Sequence, residues 1–147
     1  MDQRIKEAVD LFTDVMVYGT EKVIKSVDHP IWNEYSPEQM QMLKLISKEK
    51  QVTSSRLAVL QSVHKSAISS RIKKLLQREL IRIIDSDDKR TKMLEITDAG
   101  RDVLQQSDKA LTEYIEKLMS EHIEDEEIDQ FLIIFRKLKK ILKMDGV

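Results

Sequence analysis

Apolar residues recur every three or four positions along most of this chain, which is the periodicity of an amphipathic α-helix. The pattern changes once. Segments 80–84 and 91–96 are rich in β-branched and apolar residues, and they flank the polar stretch 85–90. Such a pattern predicts a two-stranded hairpin. Because only 3 glycines and 2 prolines interrupt the 147 residues, the remainder is expected to be mainly helical.

A long helix is predicted near the N-terminus, from about residue 3 to residue 27. Its apolar residues form a single stripe, and that face must be buried. At 1.5 Å per residue the helix is about 37 Å long. So small a core cannot cover that length, which indicates that part of the stripe packs against another chain. His29-Pro30 ends the helix, and residues 31–35 are expected to form a linker.

The middle of the chain predicts a helix-turn-helix motif. Ser36 and Gln39 have the spacing of a capping box and start one helix. Thr53 caps a short helix, residues 61–63 form a tight turn, and a further helix runs from about residue 65 to residue 77. Two short helices joined by a tight turn are typical of this motif.

Two long amphipathic helices are predicted after the hairpin, from the N-cap Thr97 to about residue 121 and from about residue 125 to residue 144. Their apolar stripes resemble coiled-coil seams. They favour a homodimer, with an intramolecular bundle as the alternative. The predicted fold class is mainly α with a small β-hairpin wing, a winged helix-turn-helix with long N- and C-terminal dimerisation helices. The expected single domain, 1–147, comprises dimerisation helices at 1–35 and 98–147 and a winged helix-turn-helix at 36–97, with its motif at about 53–77 and its wing at about 80–96.

Charge is distributed unevenly along the chain, although the net charge is only -1. Residues 53–96 carry 10 Lys/Arg and 5 Asp/Glu, whereas the remainder carries 15 Lys/Arg and 21 Asp/Glu. A basic middle between acidic ends favours a local surface that attracts phosphate groups.

The helix predicted at 65–77 has a polar face without acids. That face carries Ser66, Ser70, Lys73, Lys74 and Gln77, with Ser69 on its flank. Serines are compact enough to approach base edges, and lysines reach phosphates or guanine acceptors. An ordinary solvated face is the alternative. Such faces, however, usually include acidic residues that pair with basic residues at i,i+4. The pattern therefore favours contact with DNA.

Further candidate DNA contacts flank this helix. They are Thr53, Ser54, Ser55, His64, Lys65, Lys89, Arg90 and Lys92. The first three open a helix, whose free backbone N–H groups can anchor a phosphate, with simple capping as the alternative. The last three lie in the hairpin, where an arginine can enter the narrow minor groove.

The stretch from Thr53 to Gly100 resembles the MarR family of bacterial regulators. The resemblance rests on KSAISSRI at 65–72, DSDDKRT at 85–91 and ITDAG at 96–100, and the long flanking helices extend it over essentially the whole chain. It implies a triangular dimer with intertwined terminal helices. It also implies a recognition helix at 64–77 in the major groove and a wing in the minor groove.

The resemblance also implies roles for individual residues. Asp88 matches an acid that stabilises the wing, and Arg90 a wing-tip arginine. Arg71 matches a common recognition-helix arginine and is therefore a further candidate DNA contact. The helical angle of Arg71, however, lies nearer the buried side of the helix. Glu79 stands where the family usually has glycine, and a slightly different turn is expected there rather than a positive φ.

Members of this family often bind a small, frequently aromatic or anionic effector between their dimerisation and DNA-binding parts. The candidate lining residues here are Phe12, Met16, Trp32, Tyr35 and Met40. Plain core or dimer packing is the favoured alternative for each of them. No cofactor and no metal site are expected, because the three histidines are far apart and lack ligand spacing. The absence of cysteine excludes disulfides and cysteine-based redox sensing.

The sequence as a whole predicts a regulator that binds double-stranded DNA. The expected protein is a ligand-responsive repressor, a homodimer on a pseudo-palindromic operator. A winged-helix adaptor that binds a protein partner is the alternative. No nucleophile–base pair or glycine-rich phosphate loop indicates an enzyme. No apolar run is long enough to span a membrane, and no signal-peptide core follows Met1, so a cytoplasmic protein is expected.

Overall fold

The structure is a computed structural model that describes residues 1–85 and 91–144. Helices occupy most of both ranges, and one antiparallel hairpin interrupts them, so the predicted mainly helical class is confirmed. The elements in chain order are α1 (Gln3–Asp14), a π-helical segment (Val15–Gly19), α2 (Thr20–Ser26), α3 (Pro30–Glu34), α4 (Pro37–Glu49), α5 (Ser54–Gln61), α6 (Lys65–Gln77), β1 (Ile81–Ile84), β2 (Met93–Ile96), α7 (Asp98–His122) and α8 (Asp125–Ile141).

The predicted N-terminal helix is present as three consecutive helical pieces. The junction residues Val15 and Thr20 both have right-handed helical backbones, so α1 continues through the π-helical segment into α2. The linker predicted for 31–35 is wrong, because α3 occupies most of it. The side chain of His29 accepts a hydrogen bond from the Ile31 N–H at 3.1 Å, and Pro30 suits the first turn of a helix.

Helix α4 starts as its sequence predicts. The Gln39 N–H donates to the Ser36 hydroxyl at 3.2 Å, and the Gln39 side-chain oxygen accepts from the Ser36 N–H at 3.0 Å. This capping box satisfies two backbone donors that no helical carbonyl can reach. The buried side of α4 then enters the core of the winged helix-turn-helix. The fully buried side chains of that core are Met42, Leu43, Ile46, Leu57, Ile68 and Leu75.

One residue outside the two strands joins the hairpin to the helix-turn-helix by backbone pairing. Strands β1 and β2 pair in the register Ile81↔Ile96 to Ile84↔Met93. Val52, just before α5, exchanges two backbone hydrogen bonds with Leu94 of β2, at 2.8 and 3.0 Å. The base of the wing is therefore tied to the start of the motif.

The turn from α6 into β1 differs from the one expected. Glu79 has a positive φ of 59°, so the expectation that the turn would avoid this conformation is wrong. The N–H of Leu80 donates to the Leu75 carbonyl, and the N–H of Glu79 donates to the Leu76 carbonyl. These two bonds form a Schellman motif, in which the residue after the C-cap Arg78 must be left-handed. Glu79 adopts that conformation at a cost of about 1 kcal/mol relative to glycine.

Candidate nucleic-acid interface

Helices α5 and α6 form the two arms of the helix-turn-helix. The Thr53 hydroxyl accepts a hydrogen bond from the Arg56 N–H at 3.2 Å and so caps α5. Ser62, with φ 53°, ends α5 in a left-handed conformation that turns the chain sharply. Leu57 and Ile68 are fully buried between the arms. The apolar contact and the tight turn together hold α6 against α5.

Helix α6 presents to solvent the polar face that the sequence predicts. Ile68, Ile72 and Leu75 are buried on its inner side. The exposed residues of α6 and its N-cap include His64, Lys65, Ser66, Ser69, Ser70, Lys73, Lys74 and Gln77. Within residues 1–85 and 91–144, no carboxylate forms an ion pair with the lysines of α6. The face is therefore a positively charged ridge, and its cations are available to a phosphate backbone.

Arg71 does not share this exposed face. It is half-buried on the side towards α5, and its Nη1 donates to the Gln61 side-chain oxygen at 2.9 Å. The Gln61 side-chain nitrogen in turn donates to the Gln41 side-chain oxygen on α4 at 3.3 Å. Sequence reasoning did not identify Gln61 or Gln41. The helical angle of Arg71 towards the buried side was the one sequence signal that pointed to such a contact.

The start of α5 carries the other hydroxyl side chains that the sequence predicts as DNA contacts. Ser54 and Ser55 are exposed in its first turn. Arg56, one position on, is half-exposed, and its Nε lies 3.3 Å from Glu49 at the end of α4. An ion pair of this exposure contributes little stability. It does hold the arginine beside the helix N-terminus, where backbone N–H groups are free.

A cross-strand ion pair bridges the described part of the wing. Arg82 and Glu95 face each other across the hairpin, with 2.6 Å between the guanidinium and the carboxylate. Lys92 is exposed beside β2. Asp88, Lys89 and Arg90, the predicted wing-stabilising acid and two of the predicted DNA contacts, lie outside the described residues.

Beyond the wing, Arg101 and Asp98 form an exposed pair at the start of α7, 2.6 Å apart. The hydrogen bond and positive charge of Arg101 lower the pKa of the Asp98 carboxyl. The ionised acid lies in the first turn of α7, where it complements the positive end of the helix dipole.

The predicted effector-lining residues fall into two groups. Tyr35 and Met40 are buried in the winged helix-turn-helix core, and the partly buried Trp32 packs against it. Phe12 and Met16, in contrast, are 51% and 57% exposed on the N-terminal helices. A single chain therefore does not gather the five residues around one cavity. Within the described residues, the buried Trp32 Nε1 has no hydrogen-bond partner.

Large apolar side chains lie uncovered on the terminal helices. The rings of Phe131 and Phe135 on α8 stack at 4.1 Å, and Phe12 of α1 lies 6.3 Å from Phe135. Further exposed apolar residues include Val9, Val15, Ile134, Leu138 and Ile141. Exposed apolar surface of this extent is typical of an interaction interface.

Metal-ion clusters and membrane-spanning helices are both absent from residues 1–85 and 91–144. No group of three or more His, Asp or Glu side chains there could hold a metal ion. None of the described helices combines the length and apolar character needed to cross a membrane.

Comparison with known proteins decides the family. The model of the MarR family matches residues 35–92. Over 145 residues, the sequence is 33% identical to YdgG of Bacillus subtilis, an uncharacterized HTH-type transcriptional regulator, covering 97% of this chain and 95% of that protein. The chain belongs to the MarR family. It is a transcription regulator, and the resemblance predicted from its sequence is confirmed.

Solved structures of the MarR family share its fold. FabT of Streptococcus pneumoniae, in complex with DNA, superimposes with a TM-score of 0.63 at 22% identity, over 96% of each chain. A mutant of MarR from E. coli, complexed with operator DNA, gives a TM-score of 0.65 at 14% identity, over 89% of this chain and 95% of that one. The winged helix-turn-helix class predicted from the sequence is thereby confirmed.

Proposed function

We propose that this MarR-family protein binds double-stranded DNA sequence-specifically as a homodimer. One observation carries the proposal: the exposed face of α6 presents serines, a glutamine and lysines, and no acid, on a helix held by a fully buried core. A face of this kind suits the major groove, where it can combine close approach with charge. That its relatives FabT and MarR are known in complexes with DNA supports the same function.

The proposed contacts divide by chemistry. The lysines of α6 and the hydroxyls at the start of α5 face phosphates, which position the protein on the duplex. The small polar residues of α6 reach base edges and supply specificity. The contact residues on α5 and α6 are Thr53, Ser54, Ser55, His64, Lys65, Ser66, Ser69, Ser70, Lys73, Lys74 and Gln77. The wing adds Lys92, together with Lys89 and Arg90, and Asp88 stabilises it.

The proposed dimer follows from the uncovered apolar faces of the terminal helices. A second copy of the chain offers the same faces, and a two-fold axis lets each cover the other. Residues 1–35 and 98–147 then form the dimerisation part, and residues 36–97 the DNA-binding part. The two copies of α6 would enter major-groove half-sites about 34 Å apart, so the operator is a pseudo-palindrome.

The proposed mode of action is repression relieved by a small aromatic or anionic effector. The two groups of lining residues lie on the dimerisation helices and on the DNA-binding core, so a ligand that contacts both changes the spacing of the recognition helices. Both recognition helices must fit half-sites about one turn apart. A small change in the spacing of these helices therefore lowers the affinity enough to release DNA. The protein works by binding rather than catalysis, in the cytoplasm.

Selection from a random duplex library tests the proposal most directly. We expect a pseudo-palindrome to be enriched and bound at nanomolar concentration, with affinity falling steeply as salt rises. The variant Ser70→Glu/Lys73→Glu places acids on the proposed DNA face. It should weaken binding by at least about 100-fold, because each dimer carries both changes twice.

The matched control is Lys117→Glu/Ser120→Glu. It changes the same residue types at the same spacing, on the exposed end of α7 near α8. Its affinity should stay within about threefold of wild type. If no sequence is enriched, or if both variants bind alike, the DNA-binding function is wrong and a protein partner becomes the better account.

A further inference from the structure

We propose that Arg71 is a positioning residue, which sets the orientation of α6 through Gln61 instead of contacting DNA. This inference rests on the proposed function, because it assigns a role in reading sequence. It separates Arg71 from the exposed lysines of the same helix and brings in two residues, Gln61 and Gln41, to which the sequence gives no role.

The contacts form a chain across three helices. Arg71 of α6 donates through Nη1 to the Gln61 oxygen at 2.9 Å, and Gln61, the last residue of α5, donates to Gln41 of α4 at 3.3 Å. The oxygen of the Gln61 amide therefore faces a cation while its nitrogen faces an acceptor. This arrangement uses both ends of the amide and fixes its orientation.

The junction between the arms needs such a tether. Only residues 62–64 separate α5 from α6, and the N-cap His64 makes no side-chain capping bond. Buried apolar contacts determine which face of α6 turns inwards, but they are non-directional and restrict small rotations of the helix less than a hydrogen bond does. The hydrogen bond from Arg71 lies nearly two turns into α6 and is directional, so it restricts such rotations further.

The surroundings of Arg71 distinguish it from a DNA-contacting arginine. Lys73 and Lys74 are exposed on the polar face and form no ion pair in the described ranges, whereas Arg71 is half-buried between the arms. A move of the guanidinium to a phosphate would leave the Gln61 oxygen without its charged donor. We therefore assign the guanidinium to this charge-assisted bond within the protein and not to a phosphate.

Loss of this tether has a specific consequence for recognition. A rotated α6 misaligns all its base contacts at once, while flexible lysines still reach the phosphates. Affinity for the preferred sequence should therefore fall, and affinity for unrelated duplex DNA should not. A phosphate-contacting arginine predicts the opposite pattern, with equal losses on every sequence.

The test is a double-mutant cycle on Arg71→Ala and Gln61→Ala. Each dimer is titrated with the selected duplex and with a scrambled duplex at several salt concentrations. We expect each single variant to lose about tenfold on the selected duplex, the double variant to lose no more than either single one, and the scrambled duplex to bind all four alike. The slope of affinity against salt should be unchanged. Lys73→Ala is the control and should lower that slope by about two, one for each chain of the dimer.

Other results overturn the proposal. If Arg71→Ala weakens both duplexes equally and lowers the salt slope while Gln61→Ala has no effect, then Arg71 contacts phosphate. Thermal unfolding of the same four free proteins tests the tether without DNA, and additive changes there mean that the contact does not exist. If wild type shows no preference for the selected duplex, the proposed function fails and the role in reading fails with it. Coupling in the free protein would then still identify a structural contact.

Discussion

The wing and the end of α6 meet the long helix α7 at Gly100, in the first turn of α7. The Thr97 hydroxyl accepts from the Gly100 N–H at 3.1 Å and donates to the Glu79 carbonyl at 2.7 Å. A Cβ on Gly100 would lie 2.1 Å from the Leu80 carbonyl oxygen and 2.7 Å from Ile96 Cγ1. Glycine is therefore required at position 100 because other backbone atoms approach it closely. Its own backbone is helical, so an unusual φ is not the reason.

We predict that Gly100→Ala lowers the free energy of unfolding by about 3 kcal/mol, because backbone atoms cannot move aside cheaply. Gly19→Ala is the matched control. Its Cβ would meet only Val15, at 3.5 Å, and alanine favours helix by about 0.5–1 kcal/mol. Urea denaturation of both variants measures the difference, and equal effects of the two changes would contradict the account.

Single residues also show where sequence reasoning stops. The cap roles of Ser36, Thr53 and Thr97 followed from local chemistry, and the structure bears out all three. The positive φ of Glu79 did not, because glycine is the residue that usually marks a left-handed helix end and glutamate gives no such signal. The partner of Arg71 lies 10 residues away on another helix, and no local pattern encodes that distance.

At the scale of the elements, periodicity located the helices well and their interruptions poorly. The bounds of α6 and α7 agree with the sequence prediction to within a residue or two. Helix α3 was missed because a five-residue helix is too short to show a period, and it depends on a cap from the His29 side chain. The π-helical segment at 15–19 was also not predicted, since a single π turn is too short to show an apolar period of its own.

Helix α8 offers the clearest test of an element's role. Phe131 and Phe135 lie on its apolar side, while Lys137 and Lys140 lie opposite them at 100° per residue. We predict that Phe131→Ala/Phe135→Ala weakens the dimer by at least about 100-fold, because buried aromatic residues dominate interface energies. Sedimentation equilibrium gives the dissociation constant.

Lys137→Ala/Lys140→Ala controls for changes to the same helix and should leave that constant near the wild-type value. A dimer that tolerates loss of both phenylalanines would show that α8 does not form the interface. So would a dimer that dissociates equally in the two variants.

At the scale of the whole molecule, burial divides the chain. The core described here extends from residue 31 to residue 96, and none of the residues of α1 or α8 is buried in it. From helix length the sequence predicted only that so small a core cannot cover the whole N-terminal apolar stripe. It could not group the candidate effector residues, because Phe12 and Met16 lie on one side of the division while Tyr35 and Met40 lie on the other. The proposed dimer would bring such faces together.

The central claim is that two copies of α6 read two half-sites of one duplex. It is tested by titrating wild type against the selected duplex and against the same duplex with one half-site scrambled, with stoichiometry measured in parallel. The account predicts two chains per duplex and at least about 100-fold weaker binding after scrambling, since each mismatched base pair costs about 1–3 kcal/mol. One chain per duplex, or equal affinity for both duplexes, would contradict it.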